Sequence, residues 1–126
     1  MTTDTAARDT RFEQARFNMI EQQIRPWEVL DSRVLGLLES VHREDFVPAP
    51  LRSLAFADME LPLTQPAVDG QVMLAPRVEA RLLQDVAVQP TDRVLEIGTG
   101  SGHMAALLSR MAQRVLSLEI DEGLAR

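Results

Sequence analysis

The stretch from Val94 to Gly102 reads V-L-E-I-G-T-G-S-G, and it limits what this chain can become more than any other. A short apolar run carries an acid, Glu96, and the backbone then crosses alternate glycines at Gly98, Gly100 and Gly102. Apolar residues return at Met104, Leu107, Leu108 and Met111, the spacing of one helix face. The order is strand, glycine loop, helix. Glycine suits such a loop because a backbone without Cβ adopts positive φ at low cost and lets a ligand come close. The amides at the helix start are expected to face that ligand. Arg114 to Ile120 then forms a mostly apolar run suited to a buried parallel strand, with Glu119 near its C-terminal end. A right-handed crossover puts Glu119 beside the glycine loop, at the carboxyl edge of the sheet where open α/β sheets bind ligands. An acid there suits a ribose diol.

Two nucleotide-type ligands compete for this unit. The dinucleotide pattern G-x-G-x-x-G needs its third glycine at position 103, but that residue is His103 and the third glycine is Gly102. Glu96 also argues against a polyanion, because a carboxylate at the strand end repels phosphate and attracts a cationic group. S-adenosylmethionine fits better, with a sulfonium, an ammonium, no phosphate and a ribose for the second acid. The pattern E-x-G-x-G-x-G followed by a strand-end acid resembles the first motif of the Rossmann-like methyltransferases. The expected cofactor-binding set is Glu96, Gly98, Thr99, Gly100, Ser101, Gly102 and Glu119. Three glycines alone also fit a mere flexible turn; the two acids argue against that.

Composition removes other classes. A net charge of −6 disfavours a nucleic-acid backbone as the main partner. Arginine supplies all 13 basic residues, so lysine Schiff-base chemistry is absent, and neither Cys nor Tyr is present as a nucleophile. With no Cys and only His42 and His103, no disulfide is possible and no metal site is expected. The longest uncharged stretch, Ile97 to Ser109, is too short and glycine-rich to span a bilayer, and Met1 to Arg11 lacks an apolar signal core. No membrane association is expected, and a cytoplasmic protein is the default.

Upstream of about residue 90 the periodicity is helical. A first helix is expected over Phe12 to Ile24, stopping before Arg25-Pro26-Trp27 because proline disfavours helical conformation at the preceding residue. Asp31 is placed to cap a second helix with its stripe at Val34, Leu37, Leu38 and Val41, which packs inward. Pro76 opens a third, carrying Val78, Leu82 and Val86 on one face and ending before Gln89-Pro90-Thr91-Asp92. Asp58 to Ala75 reads as loop with an Asp69-Gly70 turn, and Asp121 as the cap of a helix reaching Arg126. The expected class is α/β: a helical N-terminal region, 1–90, with a substrate-side loop, then the first βαβ unit of a Rossmann-like methyltransferase sheet, 91–126, truncated. One such unit leaves sheet edges and a face uncovered, so the rest of the sheet is expected in a longer parent protein.

Several separated motifs occur in the order found in one family. Asn18-Met19-Ile20-Glu21-Gln22-Gln23-Ile24, Asp31-Ser32-Arg33-Val34-Leu35, His42-Arg43-Glu44-Asp45-Phe46-Val47-Pro48, Gly70-Gln71 before Ala75-Pro76, and Arg93 to Ala106 together resemble the protein-L-isoaspartate O-methyltransferase family. The resemblance implies S-adenosylmethionine as cofactor, methylation of isoaspartyl carboxylates in damaged proteins, and a substrate-side loop at Gly70, Gln71, Val72, Met73 and Leu74. The family pattern there is G-Q-T-I-S, so Val72 and Leu74 stand where hydroxyl residues are expected. No catalytic residue is identified. A lost orienting donor costs about 10²–10³ in rate if it acts like one oxyanion contact.

Individual residues have plainer readings beside these. His103 follows the loop and reads as a solvent-facing helix start rather than a catalytic group, and His42 reads as surface. Arg25-Pro26-Trp27 reads as a turn anchored by a buried aromatic, with a recognition loop as the alternative. Glu13, Glu21, Glu28 and Glu39 read as solvated helix surface. Three functions stay open: isoaspartyl methyl transfer, the same fold acting on a different acceptor, and a cofactor-binding protein without catalysis.

Overall fold

The computed structural model describes residues 2–125, and side chains over 10–125. Helix α1 spans Thr2–Met19, widens into a π turn at Ile20–Ile24 and tightens into a 3₁₀ turn at Arg25–Trp27. The helix expected over Phe12 to Ile24 is therefore present but starts earlier and changes its winding after Met19. Trp27 does not anchor the turn from inside: it is 40% exposed, and the Arg77 guanidinium stacks 4.3 Å from its ring. A surface cation supplies the ring's cover instead of the core.

Helix α2, Ser32–Ser40, begins where Asp31 Oδ1 accepts from the amides of Arg33 at 2.8 Å and Val34 at 3.3 Å. Val34, Leu38 and Val41 are buried, so its stripe faces the core as expected. Two 3₁₀ turns follow, at Arg43–Phe46 and Ala49–Leu54. Strands β1, Leu61–Pro62, and β2, Val72–Met73, pair antiparallel within the segment read as loop. Two residues each are too few to show a periodicity.

Helix α3, Pro76–Val86, opens on its proline and stops at Ala87, whose φ of 53° is left-handed. Its buried face is Pro76, Glu79, Ala80 and Leu83. Leu82 and Val86, on the face marked out by the sequence, are 46% and 63% exposed. Both stripes have helical spacing; the inner one is the stripe that packs against the π turn at Ile20–Ile24 and α2.

Strand β3, Arg93–Ile97, helix α4, His103–Ser109, and strand β4, Arg114–Leu118, form the βαβ unit, with β3 and β4 parallel and Glu96 opposite Ser117. The half-buried Val94 and Val115 pack against the core, whereas Leu95, Ile97, Leu116 and Leu118 are exposed. The sheet is thus covered on one face, not both. Leu107, Leu108 and Met111 are sunk into a cluster that also holds Met19, Ile24 and Leu83. Each such side chain contributes about 1.5–3 kcal/mol relative to exposure. Asp121 Oδ1 accepts from the amides of Gly123 and Leu124, the expected cap, but only one turn follows and Arg126 lies outside the described residues.

Candidate functional site

The carboxyl end of β3 and the glycine loop after it open onto a cavity of about 240 Å³. One wall is Glu96 with Gly98, Thr99, Gly100 and Ser101. The other is Val72, Met73 and Leu74 from the loop before α3, with Leu63 and Leu82. Glu79 and Met104 complete the lining, which contains two carboxylates and no basic side chain.

The glycine loop folds back on the end of β4. Leu118 O accepts from the amides of Gly98 at 2.7 Å and Thr99 at 3.1 Å, and Gly102 N donates to Thr99 O. Gly100 N donates to Glu119 Oε1 at 2.7 Å, and Asp121 N donates to Oε2 at 3.0 Å. Hence most loop amides are engaged within the protein rather than presented to a ligand, contrary to the expectation from the helix start. The physical reason is that a loop this short, leaving β3 at Ile97, passes directly over the last carbonyl of β4. The Asp121 and Gly100 amides hold the Glu119 carboxyl below the usual carboxylate range. Ser117 Oγ donates to Glu96 Oε1 at 2.6 Å, which fixes that acid at the cavity wall.

Gly100 has φ of 57°, in the left-handed region, and a Cβ there would lie 3.6 Å from Leu63 Cδ1 on the hairpin side. At Gly98, which also lines the cavity, a Cβ would meet nothing within 4 Å. The expected cofactor set is brought together in part: Glu96, Gly98, Thr99, Gly100 and Ser101 line the cavity, and Glu119, outside that lining, accepts from Gly100 N. Gly102 sits at the start of α4 with φ of 88°, away from the lining.

Of the substrate-side residues, Val72, Met73 and Leu74 line the cavity. Gly70 and Gln71 do not; Gly70 makes the hairpin turn, and Gln71 Nε2 reaches Asp121 Oδ2 at 3.5 Å. His42, Glu13, Glu21, Glu28 and Glu39 are exposed, as read from the sequence.

His103 is not solvent-facing. It is 1% exposed, with Nδ1 2.7 Å from Glu79 Oε1 and its ring 5.3 Å from Phe46. Glu79 also accepts from Arg43 Nη1 at 2.6 Å. Burial pushes the Arg43 guanidinium down from its ordinary value, and the charge and hydrogen bond of Glu79 partly restore it. The neighbouring Glu44 pairs with Arg16 inside the same protein core. Sequence reasoning missed all of these. One local signal was available: on α3, Glu79 falls in helical register with Pro76, Ala80 and Leu83, so an acid lies within an otherwise small or apolar stripe.

Residues 14–126 match the sequence profile of protein-L-isoaspartate(D-aspartate) O-methyltransferase, PCMT. The chain belongs to this family. A protein-L-isoaspartate O-methyltransferase of Herpetosiphon aurantiacus is 35% identical over 115 residues, covering 91% of this chain and 50% of that protein. One from Koribacter versatilis is 39% identical over 116 residues, covering 92% and 50%. The chain spans about half the length of the curated relatives it matches. Among solved structures, a Plasmodium falciparum chain assigned to the same PCMT group and holding S-adenosyl-L-homocysteine superposes with TM-score 0.64 at 18% identity, over 90% of this chain and 50% of that one. A second protein-L-isoaspartate O-methyltransferase gives 0.63 at 24%, over 89% and 35%. The fold is accordingly that of the PCMT proteins: a helical region followed by the first βαβ unit of a Rossmann-like sheet. The helical region and the glycine-loop unit of this PCMT chain meet at the cavity just described.

Proposed function

We propose that the whole protein binds S-adenosylmethionine against the glycine loop and transfers its methyl group to the carboxylate of isoaspartyl residues in protein substrates, a repair reaction. The observation that carries the cofactor is the cavity lining: the Glu96 carboxylate beside Gly98, with no basic side chain among the lining residues. Such a wall suits a ligand with cationic groups and no phosphate. Glu96 is assigned to the amino-acid end of the ligand and Glu119 to its ribose, with Gly98, Thr99, Gly100, Ser101 and Gly102 shaping the loop between them. Bound there, the cofactor supplies an electrophilic methyl group on a sulfonium. In this reading residues 1–90 supply the acceptor side and 91–126 begin the cofactor side.

The acceptor carboxylate is ionised at neutral pH, so the site needs no general base. What the chain must supply is alignment and exclusion of water, and the apolar Leu63, Val72, Leu74 and Leu82 serve the second role. Val72 and Leu74 also favour a second reading, the same chemistry on a different acceptor, because neither offers a hydroxyl to orient a carboxylate. A third reading is cofactor binding without transfer.

The whole protein incubated with an isoaspartyl peptide and methyl-labelled cofactor separates them. Label in a base-labile ester on the peptide supports the first. Label only in other acceptors supports the second, and S-adenosylhomocysteine binding without transfer the third. Absence of any cofactor binding removes all three.

A further inference from the structure

Arg43, Glu79 and His103 are 3%, 5% and 1% exposed, and the roles assigned above use none of their hydrogen bonds. Arg43 spends its guanidinium on three partners: Nε on Ala55 O at 2.7 Å, Nη2 on Leu74 O at 2.8 Å and Nη1 on Glu79 Oε1 at 2.6 Å. His103 Nδ1 reaches the same Oε1 at 2.7 Å. Facing a guanidinium, that oxygen is an acceptor, so Nδ1 carries the proton and donates. His103 directly follows Gly102 and begins α4. A continuous chain of contacts therefore runs from the Leu74 carbonyl, on the acceptor wall, through Arg43 and Glu79 to the end of the glycine loop, on the cofactor wall.

Packing alone does not call for this arrangement. Apolar side chains of similar volume replace buried ion pairs at little or no loss of stability. The chain also tolerates a cost, since His103 Nε2 is buried with no hydrogen-bond partner among the described residues. An apolar side chain would avoid that cost. What the polar chain adds is a fixed distance between two walls built from segments far apart in sequence.

We propose that His103 is a positioning residue, which through Glu79 and Arg43 sets the separation of the acceptor wall from the glycine loop. The inference rests on the methyl-transfer reading above. Each wall keeps its own contacts with its own ligand, so the clamp acts on alignment across the cavity and not on the affinity of either ligand. A displacement of about 1 Å between reacting groups costs on the order of 10²-fold in rate.

The test uses the whole protein with His103→Phe and His103→Ala, which remove the donor, and His103→Asn, which keeps an N–H within reach of Glu79. For either donor-less variant the expected kcat toward an isoaspartyl peptide falls about 10- to 100-fold. S-adenosylhomocysteine Kd and peptide KM stay within about threefold of wild type. His103→Asn recovers most of the lost kcat. Unchanged kcat in the donor-less variants overturns the proposal. So does a joint loss of kcat, cofactor affinity and melting temperature that Asn does not rescue, which marks a merely structural histidine. Ala carries the test if Phe does not fold, and failure of all three variants to fold also assigns His103 to structure and overturns it. A wild-type protein that leaves the peptide unmethylated fails the functional reading itself, an outcome distinct from active wild type with equally active variants.

Discussion

Replacing Gly100 by valine in the whole protein is expected to abolish S-adenosylhomocysteine binding while leaving the protein folded. At φ of 57° an L-residue adopts the left-handed region, which costs about 1–2 kcal/mol. The new Cβ itself fits, because its closest neighbours, Leu63 Cδ1 and Cδ2, lie at the ordinary contact distances of 3.6 and 3.8 Å. Valine's two further methyls do not have that room and press on the hairpin side chain, an overpacking of about 1–3 kcal/mol. The sum is about 2–5 kcal/mol, to be set against a typical domain stability of about 5–15 kcal/mol. Folding survives, but the added methyls project from the loop toward Leu63, into the space assigned to the cofactor. Gly100→Ala meets the backbone cost alone and is expected to bind about tenfold more weakly than wild type, in line with that cost. Urea unfolding gives the stability of each variant, and titration calorimetry the affinity. A folded Gly100→Val protein with wild-type affinity would refute the assignment of this loop to the cofactor.

Other outcomes follow from the same contacts. Glu119→Ala is expected to weaken S-adenosylmethionine and S-adenosylhomocysteine to the same degree, because both share the ribose; unequal losses in calorimetry count against a ribose contact. Glu119 has a lowered folded pKa, so its tie to Gly100 is fully present above the ordinary value of 4.5 and is lost only as pH falls through the lower folded value. The difference in unfolding free energy between wild type and Glu119→Ala should accordingly be flat from neutral pH down to about that ordinary value. Arg43→Leu leaves Glu79 buried without its cation and is expected to destabilise by about 3–5 kcal/mol in urea unfolding; a loss under about 1 kcal/mol means that His103 alone satisfies the carboxylate. Val72→Thr with Leu74→Ser is expected to raise kcat/KM for isoaspartyl peptide with cofactor affinity unchanged, and no rise in a folded protein points to a different acceptor.

The βαβ unit could be read from the chain because its signals are local. Alternate glycines, an apolar stripe from Met104 to Met111 and a strand-end acid all fall within 26 residues, Val94 to Glu119, and each constrains its neighbours. The cap at Asp31 and the helix start at Pro76 were legible for the same reason. The inner face of α3 was not, because Pro76, Ala80 and Leu83 compete with Val78, Leu82 and Val86 at equally helical spacing, and only the packing partner decides. The pairing of Arg43, Glu79 and His103 was not legible for a different reason. Arg43 and His103 each look like an ordinary surface residue, Glu79 alone stands in a small and apolar stripe, and their pairing spans 36 and 24 positions. The engagement of the loop amides by β4 likewise depends on where the second strand ends.

The shared core has a bearing on protein engineering. Leu107, Leu108 and Met111 of the glycine-loop unit sit in one cluster with Met19, Ile24, Val34 and Leu83 of the preceding helices. The unit is therefore no interchangeable cassette. A chimera that grafts Arg93 to Leu118 onto the helical region of another methyltransferase would have to match that surface side chain by side chain. A graft chosen on the glycine motif alone keeps the sequence fingerprint and misplaces the loop that the motif encodes.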